Sequence, residues 1–225
     1  MRISIIIPVL NEERAIGETL ESIARLSPHE IIVVDGGSTD RTREVVAANG
    51  IAVVAAGRGR ARQMNEGAKI ARGDVLVFLH ADTRLPASAV EDIRAALIDP
   101  RCAGGRFDIS LDGDRLIFKM IGALISFRSR LTRVATGDQA IFVRREVFQD
   151  LGGFPDIPLM EDIALARALR KKGRIACLKS RVLTSARRWE SEGVWRTIIK
   201  MWWLKFLYLS GISPKTLKRY YGDAR

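Results

Sequence analysis

The chain has 225 residues, 47% of them hydrophobic, enough to bury one good-sized core in a single domain with a C-terminal extension. Two isolated cysteines, Cys102 and Cys177, fit no metal spacing, and a strand begins where a signal peptide would stand, so a disulfide framework is excluded and a reducing cytoplasm is expected. The net charge of +11 is lopsided: residues 163–225 hold sixteen Lys and Arg against three Asp and Glu, together with Trp189, Trp195, Trp202, Trp203, Tyr208, Tyr220 and Tyr221, which points to an anionic partner such as a phosphorylated ligand, a membrane surface or nucleic acid.

Ile3 to Ile7 is a β-branched run that ends in Pro8-Val9-Leu10, and Asn11-Glu12-Glu13 reads as the capped, acidic start of a helix to about Leu26. Ile31 to Val34 is a second apolar run and ends in Asp35; Gly36-Gly37-Ser38-Thr39-Asp40 then turns into a helix near Arg41 to Asn49, closed by Gly50. Ile51 to Ala55 predicts a third strand, and Arg60 to Ala71 a third helix closed by Gly73. Val75 to Leu79 is an unbroken apolar run of strand length, as in a strand buried on both faces, and stops at His80-Ala81-Asp82. This alternation calls for a parallel sheet with right-handed crossovers. Asn11 and Glu12, Asp35, and His80 and Asp82 then arrive at one sheet edge, where α/β folds bind nucleotides. On an extended backbone, residues two apart point the same way, so His80 and Asp82 are expected to converge on one ligand; the competing reading is that Asp82 caps a turn.

After Pro86 a helix runs to Ile98, Gly104 to Leu111 alternates like an edge or antiparallel strand, and Arg115 to Phe127 is an apolar helix too short to span a bilayer. Gly137 to Val143 reads as strand entry, a short helix ends at Gly152-Gly153-Phe154-Pro155, and Met160-Glu161-Asp162 opens a helix ended by Gly173. Trp195, Ile198, Ile199, Trp202, Trp203, Phe206 and Leu209 fill one charge-free half of a helix from Val194 to Leu209, with Arg196, Lys200 and Lys205 on the other half. That pattern suits the plane of a membrane interface, with Lys215, Lys218, Arg219 and Arg225 adding positive charge; packing against the sheet is the alternative.

Five motifs, Ile5-Ile-Ile-Pro-Val-Leu-Asn-Glu-Glu13, Val34-Asp-Gly-Gly-Ser-Thr-Asp40, His80-Ala-Asp82, Gly152-Gly-Phe154 and Glu161-Asp162, occur in the order found in family-2 glycosyltransferases. The chain resembles that family from residue 3 to about 189, and Gly137-Asp-Gln139 with Ala186-Arg-Arg-Trp-Glu190 resembles a small bacterial subgroup of unassigned substrate. The resemblance implies a GT-A, Rossmann-like, mostly parallel α/β sheet flanked by helices over residues 1–190, with an amphipathic helical extension over 191–225. It implies that Pro8, Asn11, Glu12 and Asp35 line the nucleotide pocket and that Arg62 reaches the nucleotide or its phosphates. Asp82 would hold a divalent cation, Mn²⁺ or Mg²⁺, on the donor diphosphate, and Asp162, with Glu161 beside it, would be the general base of an inverting transfer. Arg187 or Arg188 would meet the diphosphate, Trp189 would shape the acceptor site, and Gln139 is a further substrate-binding candidate. His80 stands where the family has an acid, and can bind Mn²⁺ or a ribose hydroxyl; Gly36 replaces a second Asp, which leaves the base open.

The expected partners are a nucleotide-diphosphate sugar and an acceptor hydroxyl, which a peripheral membrane position would make lipid-linked. A sugar-phosphate nucleotidyltransferase is the nearest rival, but its Gly- and Arg-rich loop is absent after the first strand, where Pro8 to Glu13 is acidic. A nucleic-acid-binding protein would leave three carboxylate-tipped strand ends unexplained, so no nucleic-acid partner is expected.

Overall fold

The computed structural model describes residues 1–221, so Arg225 lies outside the described residues. The run Ile3–Val9 forms strand β1 and sorts its side chains by parity. Ile3, Ile5, Ile7 and Val9 enter one apolar cluster, while Ile6 enters another on the opposite face, as the two-residue repeat of a strand requires. The first cluster is covered by helices α1 (Ile16–Ala24), α2 (Thr42–Ala48), α4 (Ala89–Ala96) and α5 (Leu116–Thr132), and the second by α3 (Arg60–Ile70), α6 (Arg145–Asp150) and α7 (Glu161–Leu169). Each fully buried Ile or Leu in these layers contributes about 1.5–3 kcal/mol.

The remaining strands are β2 (Glu30–Asp35), β3 (Val53–Ala55), β4 (Val75–Phe78), β5 (Thr83–Arg84), β6 (Cys102–Leu111), β7 (Ile141–Arg144) and β8 (Arg174–Thr184), in the spatial order β3-β2-β1-β4-β7-β6-β8-β5. The first four are mutually parallel, with Ile6 opposite both Ile32 and Phe78. β7 runs antiparallel to β4, Ile141 facing Phe78. Its first residue therefore lies at the carboxyl edge of β4, and the 3-10 turn Gly137–Gln139 that precedes it is delivered there. Pro8 pairs with Val34 beyond the end of β4, so its missing N–H costs no ladder bond on that side.

Three expectations need correction. Asn11 is not a helix cap: α1 begins at Ile16, and Asn11 itself sits at φ 54°, a left-handed conformation that Asn tolerates. Of the two readings of Gly104–Leu111 the antiparallel strand holds, since β6 pairs antiparallel with β7, but the edge does not, because β6 lies between β7 and β8 and buries the ion pair of Arg106 with Asp108, to which Arg130 adds a second cation. Gly137–Gln139 is a 3-10 turn, not strand. Close packing of α3 on the sheet depends on Gly67, where a Cβ would come within 2.5 Å of Ile6 Cγ2 and 3.0 Å of Val34 Cγ2.

Beyond β8 come α8 (Arg187–Glu192), α9 (Val194–Leu209) and α10 (Pro214–Tyr221). Leu204 and Leu217 dock these helices into the second cluster. The outer face of α9 stays in solvent: Trp195, Trp202 and Trp203 are 71%, 67% and 59% exposed. Core packing is thereby set aside for the Trp face, although Ile198 packs on the first cluster. On the basic half Arg196 is exposed, while Lys200 is half-buried and pairs with Glu192 at 2.9 Å. No helix among the described residues is long and apolar enough to cross a membrane.

Candidate active site

The carboxyl ends of β1 and β2 are knitted together by their loops. Asn11 N donates to Ser38 Oγ at 2.9 Å, Thr39 N donates to Asn11 Oδ1 at 2.9 Å, and Glu12 N donates to Thr42 Oγ1 at 2.8 Å. Asp35 is fully buried and receives the amides of Gly37 and Ser38 at 3.2 and 3.0 Å, the Ser38 hydroxyl and the Arg43 guanidinium. Burial opposes its ionisation, but the Ser38 bonds and Arg43 outweigh that and hold the carboxyl below its usual range. Arg43 is a partner that the sequence reading missed. Beneath this loop Gln63 donates to Val9 O at 2.7 Å and Val34 O at 2.8 Å, tying the two strand ends. A Cβ on Gly36 would meet Gln63 Oε1 at 2.9 Å, so this chain fills with Gln63 the space that a second acid would need.

β4 ends at Phe78 and the chain turns, with Thr83 N donating to His80 O at 3.1 Å. His80 and Asp82 are thus on a turn, not on an extended strand, and the alternation that would aim them together does not apply. His80 instead lines a narrow cleft with Arg60, Met64, Gly137, Glu161 and Asp162. Its Nε2 would lie 2.6 Å from a Cβ at Gly137, so only glycine fits there. The turn is anchored from far along the chain: Ser185 N donates to Asp82 O at 3.2 Å, and the hydroxyls of Thr83 and Thr184 are 2.9 Å apart.

Glu161 and Asp162 enter the cleft at the start of α7. The preceding residue, Met160, holds φ 69°, an uncommon strain for a bulky side chain and one that clusters at functional sites. Asp162 Oδ2 accepts from Gly137 N at 2.7 Å and Oδ1 from its own helix at Ile163 N, 2.7 Å. Glu161 is buried and pairs with Arg60 at 3.4 Å; burial pushes its carboxyl up, against the pull of Arg60 and with the help of Asp162.

The arginines sort differently from expectation. Arg62 forks onto Asp156 at the surface, with contacts of 2.9 Å from both Nε and Nη2, and it is Arg60 that α3 delivers to the cleft. Arg187 reaches the buried Glu12 at 3.3 Å, whereas Arg188 lies over the Tyr221 ring, 4.5 Å from its centroid, with Glu192 alongside. Trp189 packs on the first cluster. Gln139 is fully buried and its amide serves its own surroundings: it donates to Ser129 Oγ at 2.9 Å and Phe107 O at 3.2 Å, and accepts from Thr136. Its environment is that of a brace, not of a ligand contact.

Asp82 is half-buried, and its Oδ1 receives a long contact of 3.5 Å from the Thr83 hydroxyl. Among the described residues no group of three or more His, Cys, Asp or Glu converges as a metal cage. One carboxylate of this kind fits a hard cation whose other ligands are phosphate oxygens and water, the usual arrangement for Mg²⁺ on a diphosphate.

The model of the family described as Glycosyl transferase family 2 matches residues 4–152. A probable glycosyltransferase of Bacillus subtilis, YdaM, is 29% identical over 229 residues, covering 90% of this chain and 53% of its own. A PGL/p-HBAD biosynthesis glycosyltransferase of Mycobacterium tuberculosis is 33% identical over 175 residues, covering 67% of this chain and 62% of that protein. The chain thus spans a little over half the length of these curated relatives. In fold it is similar to Staphylococcus aureus TarS 1–349 in complex with UDP, with a TM-score of 0.66 at 22% identity over 82% of this chain and 60% of that one. It is also similar to glucosyl-3-phosphoglycerate synthase of M. tuberculosis in complex with Mg²⁺ and UDP, at 0.60 and 23% over 80% of this chain and 69% of that one.

Proposed function

The chain belongs to glycosyl transferase family 2, and on that premise we propose that it transfers a sugar, with inversion, from a nucleotide-diphosphate sugar to an acceptor hydroxyl. The observation that carries this reading is the meeting of His80, Arg60, Gly137, Glu161 and Asp162 in one cleft, at the sheet edge where Asp35 and Glu12 also end. Complexes of the structural neighbours with UDP and with Mg²⁺ support a uridine nucleotide and a divalent cation as the first ligands to try.

In this reading the loops after β1 and β2 take the nucleoside. Pro8 and Asn11 would form the wall, and the buried Asp35, fixed by Ser38 and Arg43, would hold the shape of the loop after β2. Asp82 would hold the cation, which when bound neutralises charge on the departing diphosphate. Arg60 and Arg187 would supply positive charge for the same group. Each is balanced at rest by a carboxylate, Glu161 for Arg60 and Glu12 for Arg187. Asp162, steered by the Gly137 amide, takes the proton of the acceptor hydroxyl as that oxygen bonds to the anomeric carbon. The bond from that carbon to the diphosphate oxygen breaks in the same displacement and its electron pair leaves with the diphosphate, so the anomeric configuration inverts. Glu161, whose carboxyl is pushed up by burial against the pull of Arg60, keeps that arginine next to the base.

The outward apolar faces support a peripheral position on a lipid surface. On α9 these are the exposed Trp195, Ile199, Trp202, Trp203 and Phe206. On α5, Leu116, Met120, Leu124, Phe127 and Leu131 are all more than half exposed. From Arg115 to Thr136 and from Val194 to Leu209 the sequence contains no Asp or Glu, while Arg115, Lys119, Arg196 and Lys200 are basic. Apolar faces on helices whose own charged residues are all basic suit an anionic bilayer, and make an acceptor presented at that surface the natural partner.

The experiment is a screen of nucleotide sugars by thermal shift with and without Mn²⁺, followed by release of the nucleotide diphosphate as the activity readout. Asp162→Asn should lower turnover by roughly 10²–10⁴-fold with nucleotide affinity retained. Asp82→Ala should lose the Mn²⁺-dependent part of nucleotide binding. Full turnover in the first variant, or unchanged Mn²⁺ dependence in the second, removes the corresponding role.

A further inference from the structure

Beside Asp162 a second group of charges gathers that the donor reading does not use. Arg128 from α5, Asp138 from the 3-10 turn and Lys205 from α9 lie within electrostatic reach of one another and of Asp162. The Nε and Nη2 atoms of Arg128 are buried and make no hydrogen bond among the described residues, and Asp138 Oδ1 is in the same condition. Native proteins pair nearly all such groups, so three of them together at one place ask for a cause.

The atoms concerned are informative. Nε and Nη2 form the edge of a guanidinium whose two N–H bonds run parallel and hold two oxygens of one anion. Arg62 applies that edge to Asp156, and Arg130 applies it to Asp108. Among the described residues, Arg128 has the same edge with no carboxylate on it. Asp162 directs its two oxygens to Gly137 N and Ile163 N. Asp138 is driven toward its neutral form, first by burial and then by the charge of Asp162. Lys205 is under the opposite pressure: burial and then the repulsion of Arg128 bring its ammonium down to about 8. Two cations within electrostatic reach of one another, one with a forked edge unmatched among the described residues, would be stabilised by an oxyanion that touches both.

We infer that Arg128 and Lys205 seat a phosphate monoester carried by the acceptor, beside the carboxylate that takes the proton of its hydroxyl. A carboxylate would use both its oxygens on the arginine fork, whereas a phosphate monoester has three terminal oxygens and can meet the fork and the ammonium together. The donor diphosphate is served elsewhere, by Asp82, Arg60 and Arg187. α5 and α9, which supply the two cations, are also the helices that turn apolar faces outward, so the seat lies where a headgroup at a bilayer surface and a small soluble ester could both arrive. The inference rests on the reading of Asp162 as the base.

Binding of inorganic phosphate and of glycerol 3-phosphate to the full chain is measured calorimetrically with UDP and Mn²⁺ saturating, so that the donor side is filled. Each of the two should bind the wild type and bind roughly tenfold or more weakly to Arg128→Gln and to Lys205→Gln, with UDP affinity unchanged. Arg128→Lys, which keeps the charge and the fold but loses the fork, should fall between. Vesicles containing phosphatidic acid in place of phosphatidylglycerol separate the two sources: retention that follows the monoester and fails in Arg128→Gln assigns a lipid phosphate, and retention indifferent to it, with glycerol 3-phosphate binding intact, assigns a soluble one. Phosphate binding undiminished in both Gln variants, or absent from a wild type that binds UDP, overturns the inference. A wild type that binds phosphate through Arg128 but does not bind UDP overturns the donor reading instead.

Discussion

Gly137→Ala isolates the contact on which the cleft depends. Gly137 does not adopt a left-handed backbone, so alanine brings no conformational penalty, only a methyl group. That methyl would lie 2.6 Å from His80 Nε2 and 2.9 Å from Cε1, where ordinary contact begins at 3.4 Å, so the ring and the turn must separate by about 0.8 Å. The ring shares its narrow cleft with Met64, Phe78 and Ile141, and the other party that can move is the Gly137 amide, which holds Asp162 Oδ2 at 2.7 Å. Overpacking of this kind costs about 1–3 kcal/mol of stability. A base displaced by nearly an ångström loses on the order of 10²-fold in turnover. Urea unfolding gives the first quantity and nucleotide-diphosphate release the second. Gly57→Ala, whose methyl would meet only Arg62 Cδ at 4.0 Å, is the control and should change neither. A Gly137→Ala protein with wild-type turnover would refute the claim that this turn positions Asp162.

Three further outcomes are expected. Because the folded state holds Asp35 below its usual range, the stability it supplies is present above the unfolded value near 4 and is lost as pH falls through the lower folded value. Ser38→Ala should therefore raise the pH of acid unfolding, followed by circular dichroism, and cost about 1.5–3 kcal/mol at neutral pH; an unchanged acid midpoint would contradict the arrangement. Arg187→Ala leaves the buried Glu12 carboxylate without its arginine at 3.3 Å. Since Arg187 is half exposed, the stability loss should stay within about 1 kcal/mol while UDP affinity falls; equal UDP affinity in calorimetry would assign Arg187 to structure alone. Finally, Leu124→Glu combined with Trp203→Glu changes two outward side chains and no core residue. Sedimentation with anionic vesicles should drop about tenfold or more. Undiminished sedimentation argues against the bilayer, and a wild type that is dimeric by light scattering while its double variant is monomeric would assign those faces to a second copy.

The half of the fold that alternates cleanly was legible because each of its strands is an apolar run terminated by a polar group. Ile3 to Val9, Ile31 to Val34 and Val75 to Leu79 need no partner to announce them. β8 was missed: Arg174, Lys179 and Arg181 interrupt its apolar positions, and its register against β6 slips between Phe107 and Asp108, so no two-residue period survives along it. Arg106 and Asp108 hid for a related reason, because a buried ion pair two residues apart looks in sequence like the wet face of an edge strand. At the site, acids at the ends of strands could be read, since strand ends fix their location. Which arginine of a neighbouring pair turns inward could not: Arg60 and Arg62, or Arg187 and Arg188, differ only in which helix face meets the sheet. Arg43 and Gln63 carried no motif, although Gly36 in place of an acid was a sign that something else fills that space.

The anchoring of the Asp82 turn by Ser185 and Thr184 sets an order of events in synthesis. A ribosome adds roughly 5–20 residues per second, so Asp82 leaves the tunnel some five to twenty seconds before the segment that fixes its turn. Glu12 waits longer still for Arg187. The nucleotide-facing strands can pair early, yet the carboxylates they carry are trimmed into place by late-arriving chain. A nascent polypeptide arrested before residue 184 would therefore hold most of its parallel sheet but lack the anchors of the Asp82 turn and of Glu12. Competence to bind the donor would switch on only once the segment from Thr184 to Arg187 has emerged to close these contacts.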